Sequence, residues 1–270
     1  MSSSTRDEVT GSRWRRDVRL VIHQVKYEQL AFWLNRVGAV FTVGFSVVFL
    51  VMLGLSAGDQ RIAQLGGIRL VQFYVPGFCA YGVMAAGFTT LAITLVVRRE
   101  TGLLKRLRLS PLPSWVMLAS ILISTTIVAL VQVLLLLLIG RIGYHVSFPP
   151  SWAALAIAVL VGIVSFSAMG VAVSSVIPNQ ETAGPVTSVV FFVLLFLAGF
   201  WFPISPGSGL AKFSNYLPVR HLILAMDASF RIPPGTTSLW AWHDLLVVAL
   251  WGAGATLVAL RRFRWSPRRA

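Results

Sequence analysis

Long apolar runs alternate with short polar segments along this chain. A helix rises ~1.5 Å per residue, so about 20 residues cross a hydrocarbon core of ~30 Å. Six runs are long enough and nearly free of charge. They cover residues 37–57, 73–97, 115–139, 152–177, 185–202 and 241–260. The pattern predicts six transmembrane helices in a transmembrane domain of residues 37–262, and hence an all-α integral membrane fold.

An amphipathic segment precedes the first apolar run. At about 100° per residue, apolar side chains of residues 17–36 share one face and basic side chains the other. The apolar set is Val18, Val21, Ile22, Val25, Phe32 and Trp33, and the basic set includes Arg16, Arg19 and Lys26. We expect an interfacial helix, acting either as a plain anchor or as an elbow helix that also touches a partner. Residues 1–16 are predicted to be disordered and to contain no cleavable signal peptide.

The positions of the basic residues decide how the large positive net charge is interpreted. The chain is 56% hydrophobic and 12% charged, with a net charge of +14, whereas a soluble domain is about 25% charged. Excess positive charge in a soluble protein would suggest nucleic acid. Here the basic residues flank the apolar runs, which points to membrane topology and lipid headgroups and away from nucleic acid.

The basic residues also predict an orientation. Of the 23, seven precede the first run, five lie in residues 98–108 and five in the tail after residue 260. Because positive charge is retained on the cytoplasmic side, both termini and the 98–114 loop are predicted to be cytoplasmic, with residues 263–270 a basic tail. An even number of spans agrees with this orientation.

Two further segments contain apolar residues but cannot form transmembrane helices, because one is too short and the other is interrupted by prolines and glycines. Residues 98–110 carry a leucine stripe among basic residues, closed by Pro111 and Pro113. Such a helix either rests on headgroups or docks into a groove of a soluble partner. Within it, Glu100 either pairs with Lys105 or Arg99 or contacts that partner. Residues 199–230 are apolar but interrupted by prolines and glycines, which predicts an extracytoplasmic re-entrant or interfacial hairpin.

Familiar catalytic patterns are absent from the sequence. It contains no G-x-x-x-x-G-K-[ST] phosphate loop, no G-x-S-x-G and no H-E-x-x-H, and its single cysteine, Cys79, together with scattered histidines, predicts no metal site. The middle of every span lacks acidic residues, which weighs against ion-coupled transport. Two alternatives remain open: a lipid-modifying enzyme using His221 and Asp227, and a scaffold without a transport pathway.

Three motifs carry a resemblance to a known family. They are E-T-G-L-L-K-R-L-R-L-S-P-L-P at 100–113, P-N-Q-E-T-A at 178–183, and G-F-W-F-P at 199–203 followed by Y-L-P at 216–218. With this order and spacing, residues 17–262 resemble the ABC-2-type permeases of ATP-binding-cassette exporters, in particular the daunorubicin-resistance type. Lys105 and Arg106 depart from the pattern, since many relatives carry a second acid there.

The resemblance implies a division of labour. The chain would be a non-enzymatic transport subunit with the architecture of a type V ABC exporter, in a bacterial cell membrane. A separate ATPase subunit would bind ATP and Mg, and a second permease chain, identical or a sister, would complete the pathway. The implied cargo is a hydrophobic or amphiphilic drug, polyketide or lipid.

The same resemblance nominates site residues. The ATPase-coupling interface would comprise Arg98, Arg99, Glu100, Thr101, Gly102, Leu103, Leu104, Lys105, Leu107, Asn179, Gln180 and Glu181. Candidate residues lining the pathway, on the second and fifth spans, are Phe88, Thr89, Thr94, Phe192 and Phe196. Ordinary packing between spans is the alternative role for the second group.

Overall fold

Six long apolar helices dominate the fold. The computed structural model describes residues 3–57, 60–63, 66–103, 113–202, 204, 207–232 and 238–262. The long helices are Arg36–Ser56 (span 1), Leu70–Glu100 (span 2), Trp115–Tyr144 (span 3), Trp152–Ser174 (span 4), Gln180–Leu197 (span 5) and Trp242–Arg262 (span 6). By length and composition, the six predicted transmembrane helices are confirmed.

Several helix ends differ from the predicted boundaries. Span 3 continues five residues past the predicted end at 139 and stops where His145 adopts a left-handed conformation (φ 54°). Span 5 occupies 180–197 instead of 185–202, because the Asn179 side chain caps its start by accepting from the Thr182 N–H (2.9 Å) and Gly199 (φ 78°) follows its end. Apolar runs alone do not reveal such caps.

The N-terminal helix is longer than the amphipathic pattern predicts. It runs from Ser3 to Leu34, so residues 3–16 are helical where the sequence predicted disorder. Apart from Gly11, this stretch contains neither glycine nor proline, and such a stretch can extend an adjacent helix. Its C-terminal part is fixed to span 3, where the Gln29 Nε2 donates to the Ser124 carbonyl oxygen (2.8 Å) and Oγ (2.9 Å).

A short ribbon between spans 1 and 2 departs from a strictly all-α fold. Strands Arg61–Ile62 and Ile68–Arg69 pair antiparallel, with Arg61 opposite Arg69. Gly66 and Gly67, both with positive φ, precede the second strand. Two residues per strand are too few to alter the helical class of the fold.

Span 2 lies at the centre of the bundle. In its most apolar window 72% of the residues are buried, against 22% in spans 5 and 6. Span 2 crosses span 4 at close range because Gly170 has no side chain. A Cβ at Gly170 would lie 2.7 Å from the Gly87 carbonyl oxygen. Polar contacts also join the interior, where Gln132 of span 3 donates to Ser46 Oγ of span 1 (2.8 Å).

Two π-helical segments interrupt neighbouring spans at the same level. They are Val40–Gly44 in span 1 and Ala85–Thr90 in span 2. The hydroxyls of Thr42 and Thr90, one from each segment, lie 3.0 Å apart. A π-helical turn widens the helix locally, and such turns are frequent at functional sites.

The connection between spans 5 and 6 is largely folded into the bundle. A short helix, Gly209–Ser214, precedes a second, Pro218–Ser229. Nearly every residue of the second helix is buried, and it packs against spans 2, 4 and 6. Pro218 begins this helix, where a missing N–H removes no helical hydrogen bond.

The glycine crossing gives a stability prediction. We expect Gly170→Ala to lower the free energy of unfolding by about 1–3 kcal/mol, because the new methyl group meets rigid backbone on span 2. Thermal unfolding of the purified protein in detergent measures the effect. Gly254→Ala in span 6 is the matched control, since a Cβ there meets no atom within 4 Å. Equal melting temperatures for the two variants would contradict the tight crossing.

Candidate functional site

The candidate site lies where the cytoplasm-facing segments predicted from sequence converge. We call the end of the bundle that holds residues 98–103, 174–182 and 260–262 the basic end. At this end, Glu28, Arg98, Arg99, Glu100 and Asn179 join the N-terminal helix to spans 2, 4 and 5. We call these five residues the inner junction.

Arg99 fastens the end of span 2 to the end of span 4. Its guanidinium donates to the carbonyl oxygens of Ser174 (3.0 Å), Ile177 (2.7 Å) and Pro178 (3.3 Å), and the residue is only 2% exposed. The last carbonyls of a helix have no partner within the helix and carry partial negative charge. A buried cation with several fixed donors satisfies them, so Arg99 holds the two helix ends rigidly together.

Glu100 and Asn179 together cap the start of span 5. A Glu100 carboxylate oxygen accepts from the Gln180 N–H (3.2 Å), and the Asn179 side chain accepts from the Thr182 N–H (2.9 Å). Both acceptors lie at a helix N-terminus, where negative charge is favourable. Consequently Glu100 has a role that sequence analysis missed, as an acceptor for the backbone of the second predicted contact segment.

Arg98 links the junction to the N-terminal helix. Its two terminal nitrogens donate to the two carboxylate oxygens of Glu28 at 2.8 and 2.5 Å. The two side chains are 14% and 10% exposed. A two-pronged, largely buried arginine–carboxylate pair is geometrically specific, so a movement of the end of span 2 would be transmitted to the N-terminal helix.

The remaining interface candidates lie around this junction. Gly102 has φ 71° with open space around it, so its conformation and not crowding requires glycine. Exposed side chains next to the junction are Thr101, Leu103, Gln180 and Glu181. Leu104, Lys105 and Leu107 lie outside the described residues. The structure therefore brings the described parts of both predicted contact segments, 98–103 and 179–181, to one surface.

A cleft opens beside the inner junction. It has a volume of about 280 Å³ and lies between the N-terminal helix, span 2 and span 3. Glu28 and Arg98 lie at its edge, and Thr90 and Thr94 contribute hydroxyls to an otherwise mostly apolar wall. Of the predicted pathway residues, Thr94 is the one that lines this cleft.

The other predicted pathway residues, on spans 2 and 5, do not line a common cavity among the described residues of this chain. Phe88 is 3% exposed in the π-helical segment of span 2, and the Thr89 hydroxyl beside it is buried without a hydrogen-bond partner among the described residues. Phe192 and Phe196 of span 5 are 45% and 54% exposed. Within this chain, Phe88 is therefore a packing residue, whereas the two phenylalanines of span 5 face outward.

A polar cluster joins the connecting helix to span 6 at the opposite end. His221 lies between Asp244 Oδ1, 2.6 Å from Nδ1, and the Asn215 carbonyl oxygen, 2.8 Å from Nε2. The His221 and His243 rings, scattered in sequence, are 5.7 Å apart. With Asp244 they place three potential metal ligands within 4.8 Å of one another. Because both His221 nitrogens already have protein partners, we assign this cluster a structural role.

The alternative hypothesis of a lipid-modifying enzyme relied on His221 and Asp227. The contacts described for His221 are with Asp244 and Asn215 and not with Asp227. Asp227 lies on the same helix but is buried, and its Oδ1 has no hydrogen-bond partner among the described residues. Burial raises the pKa of Asp227 to about 8, although nearby Arg220 opposes the rise. Because the contacts described for Asp227 include no nucleophile and no partner for its Oδ1, it is not held as an acid or base in a catalytic arrangement.

Sequence analysis assigned no role to two acids that are central to the contacts at either end of the bundle. Glu28 is the one acid among the basic residues of 18–36, and Asp244 is the one acid of the sixth apolar run. An isolated carboxylate in a basic or apolar stretch costs free energy unless it is paired, and that signal could have identified both. The partners, Arg98 and His221, come from distant parts of the chain.

These observations define a polytopic helical membrane protein whose basic end gathers several helix termini into one surface. Residues 68–261 match the family model described as ABC-2 family transporter protein. The chain belongs to this family, and it is an ABC-2-type permease with a multi-pass membrane topology.

Two individual relatives carry names that are consistent with this family assignment. A Bacillus subtilis (strain 168) protein named as a transport permease, YvfS, is 24% identical over 184 residues, covering 67% of this chain and 72% of YvfS. An Escherichia coli (strain K12) protein named as a multidrug ABC transporter permease, YbhR, is 26% identical over 200 residues. That alignment covers 70% of this chain and 52% of YbhR, so the chain spans about half the length of this relative.

The pair between Arg98 and Glu28 gives a prediction. We expect Arg98→Gln or Glu28→Gln to lower the free energy of unfolding by about 2–4 kcal/mol, since each leaves a largely buried charge without its partner. The charge swap, Glu28→Arg with Arg98→Glu, should recover more than half of the stability lost in either of these two substitutions alone, as a double-mutant cycle of thermal unfolding would measure.

Arg16→Gln is the control for this pair. Arg16 approaches Asp17 at 3.7 Å but its side chain is 70% exposed, so its loss should change stability by less than about 1 kcal/mol. If the changes in the free energy of unfolding of the two single variants simply add up in the double variant, the Glu28–Arg98 pair does not connect the N-terminal helix to span 2.

Proposed function

We propose that this chain is the membrane-spanning subunit of an ABC exporter of the daunorubicin-resistance type, driven by a separate ATP-binding subunit. The observation that carries the proposal is the inner junction, which joins residues 98–103 and 179–181 into one surface backed by buried Arg99. A surface on which an ATPase pushes must be bonded to the spans that it moves. The bonds of Arg99 and Glu100 connect this surface to spans 2, 4 and 5.

The proposed orientation puts the basic end in the cytoplasm of a bacterial cell. Both termini then lie inside, and the N-terminal helix lies along the inner leaflet as an elbow helix. The buried helix Pro218–Ser229 forms the re-entrant hairpin on the outer side. In support, His221 of this helix bonds to Asp244 near the start of span 6, at the end opposite to the inner junction.

Coupling would proceed through the second-to-third connection. In this proposal residues 98–110 form the coupling helix, which seats in a cleft of the ATPase, and residues 179–181 make a second contact. ATP and Mg are bound by that partner and not by this chain. Closure of the ATPase pushes on the exposed residues next to the inner junction. The bonds of Arg98 to Glu28 and of Arg99 to the end of span 4 then pass the movement into the bundle.

The pathway would be completed by a second permease chain, identical or a sister. Span 5 is the least buried span together with span 6, and it presents Phe192 and Phe196 on its outer face. Two such faces meeting across a dimer axis would form an apolar, aromatic pathway. Such a lining suits a hydrophobic or amphiphilic drug, polyketide or lipid. Phe88 would join it only after span 2 rearranges at its π-helical segment.

Accessibility labelling tests the orientation. In a background of Cys79→Ala, we expect Lys105→Cys to react with a membrane-impermeant maleimide only after the cells are permeabilised. Lys212→Cys, on the connection between spans 5 and 6, is the matched control and should react in intact cells. Reaction of Lys105→Cys in intact cells would invert the topology and overturn the proposed docking surface.

Charge reversal at Glu100 tests the coupling. We expect Glu100→Arg to reduce copurification of the proposed ATPase subunit on the order of tenfold or more, because a positive charge now faces the start of span 5 and the docking surface. Glu100→Gln keeps an oxygen acceptor for the Gln180 N–H and should retain most binding. Unchanged copurification and ATP-dependent efflux with Glu100→Arg would contradict the proposal.

A further inference from the structure

We propose that a groove along the contact of spans 4 and 6, bordered by spans 2 and 3 towards the basic end, binds one acyl chain of an anionic phospholipid whose phosphate lies against Arg261 and Arg262. Two adjoining cavities of about 330 and 450 Å³ form this groove. They share Val164, Ala168 and Thr256 in their walls, so they lie next to each other along spans 4 and 6. We call them together the lipid groove.

The length of the lipid groove matches one leaflet. Along span 6 its lining extends from Ala249 to Leu260, eleven residues apart, which corresponds to roughly 16 Å at ~1.5 Å per residue. Half of a ~30 Å hydrocarbon core is about 15 Å. One acyl chain therefore fills the groove from the basic end to the bilayer midplane without entering the other leaflet.

The walls have the chemistry of a chain-binding site. Leu95 of span 2, Met117 of span 3 and Val164 of span 4 supply apolar side chains, and Ala168 contributes only a methyl group to the wall. Ser167 also contributes to the wall but is almost fully buried, so the surface offered to a ligand is mainly apolar.

Charge at the mouth selects the headgroup. Arg261 and Arg262 directly follow Leu260, the last lining residue, and both side chains are exposed. Guanidinium groups bind phosphate through paired N–H donors. An anionic lipid gains from both cations, and a zwitterionic one gains less because its headgroup carries its own positive charge.

The same charges argue against a second copy of this chain as the occupant. A twofold contact through this face would bring the same residues of both chains close together. Arg261 and Arg262 would then approach their own counterparts, and like charges repel. A lipid phosphate, in contrast, neutralises the mouth.

The assignment of this lipid to the inner leaflet rests on the proposed orientation, but the binding itself does not. Binding to purified protein in detergent needs neither an ATPase nor a cargo. Failure of lipid binding would therefore leave the exporter proposal untouched, and failure of ATPase copurification would leave the lipid groove untouched.

Native mass spectrometry of the delipidated chain tests the proposal, with phosphatidylglycerol and phosphatidylcholine as probes. We expect the wild type to retain one phosphatidylglycerol in preference to phosphatidylcholine. Ala168→Trp, which fills the groove, should abolish that preference. Leu257→Trp is the control, because Leu257 is 58% exposed at the same depth and does not line the groove.

A surface variant keeps the test decisive if the tryptophan disturbs folding. Arg261→Gln with Arg262→Gln should weaken phosphatidylglycerol retention on the order of tenfold, while Arg36→Gln at the exposed start of span 1 should not. Equal retention of the two lipids by the wild type, or unchanged retention in the double arginine variant, would overturn the proposal. A shift from dimer to monomer with Ala168→Trp would instead identify the groove as a contact between copies.

Discussion

The buried guanidinium of Arg99 is the interaction on which the basic end depends. Three carbonyl oxygens at and beyond the end of span 4 accept from it, and the side chain is almost inaccessible. Helix ends near a membrane must satisfy their free carbonyls without relying on bulk water. From the end of span 2, Arg99 donates to the Ser174 carbonyl of span 4 and to two carbonyls of the turn that follows it, so the two spans cannot separate at this end without exposing both a charge and its acceptors.

The rest of the inner junction extends this constraint to neighbouring helices. Arg98 holds Glu28 of the N-terminal helix, and Glu100 accepts from the first residue of span 5. Three consecutive residues thus contact three different elements. Such a concentration of contacts explains why a short segment at the end of one span could act on most of the bundle.

The opposite end is held by a different kind of contact. His221 joins the connecting helix to Asp244 of span 6, and the Tyr144 hydroxyl at the end of span 3 donates to the Val51 carbonyl oxygen of span 1 (2.8 Å). Between the two ends, Gly87 and Gly170 bring spans 2 and 4 into direct contact. Spans 1, 5 and 6, by comparison, leave aromatic and aliphatic side chains uncovered, and these faces are available to a second chain or to lipid.

Sequence alone determined the elements that follow from composition and periodicity. A lipid environment requires long apolar helices, so the six spans could be counted from the runs, and Arg98, Arg99, Glu100 and Asn179 could be singled out from their motifs. Tertiary structure decided the helix ends, the pairing of Glu28 with Arg98 and of His221 with Asp244, and the burial of Phe88. These features depend on contacts between residues far apart in the chain, for which a local apolar pattern carries no information.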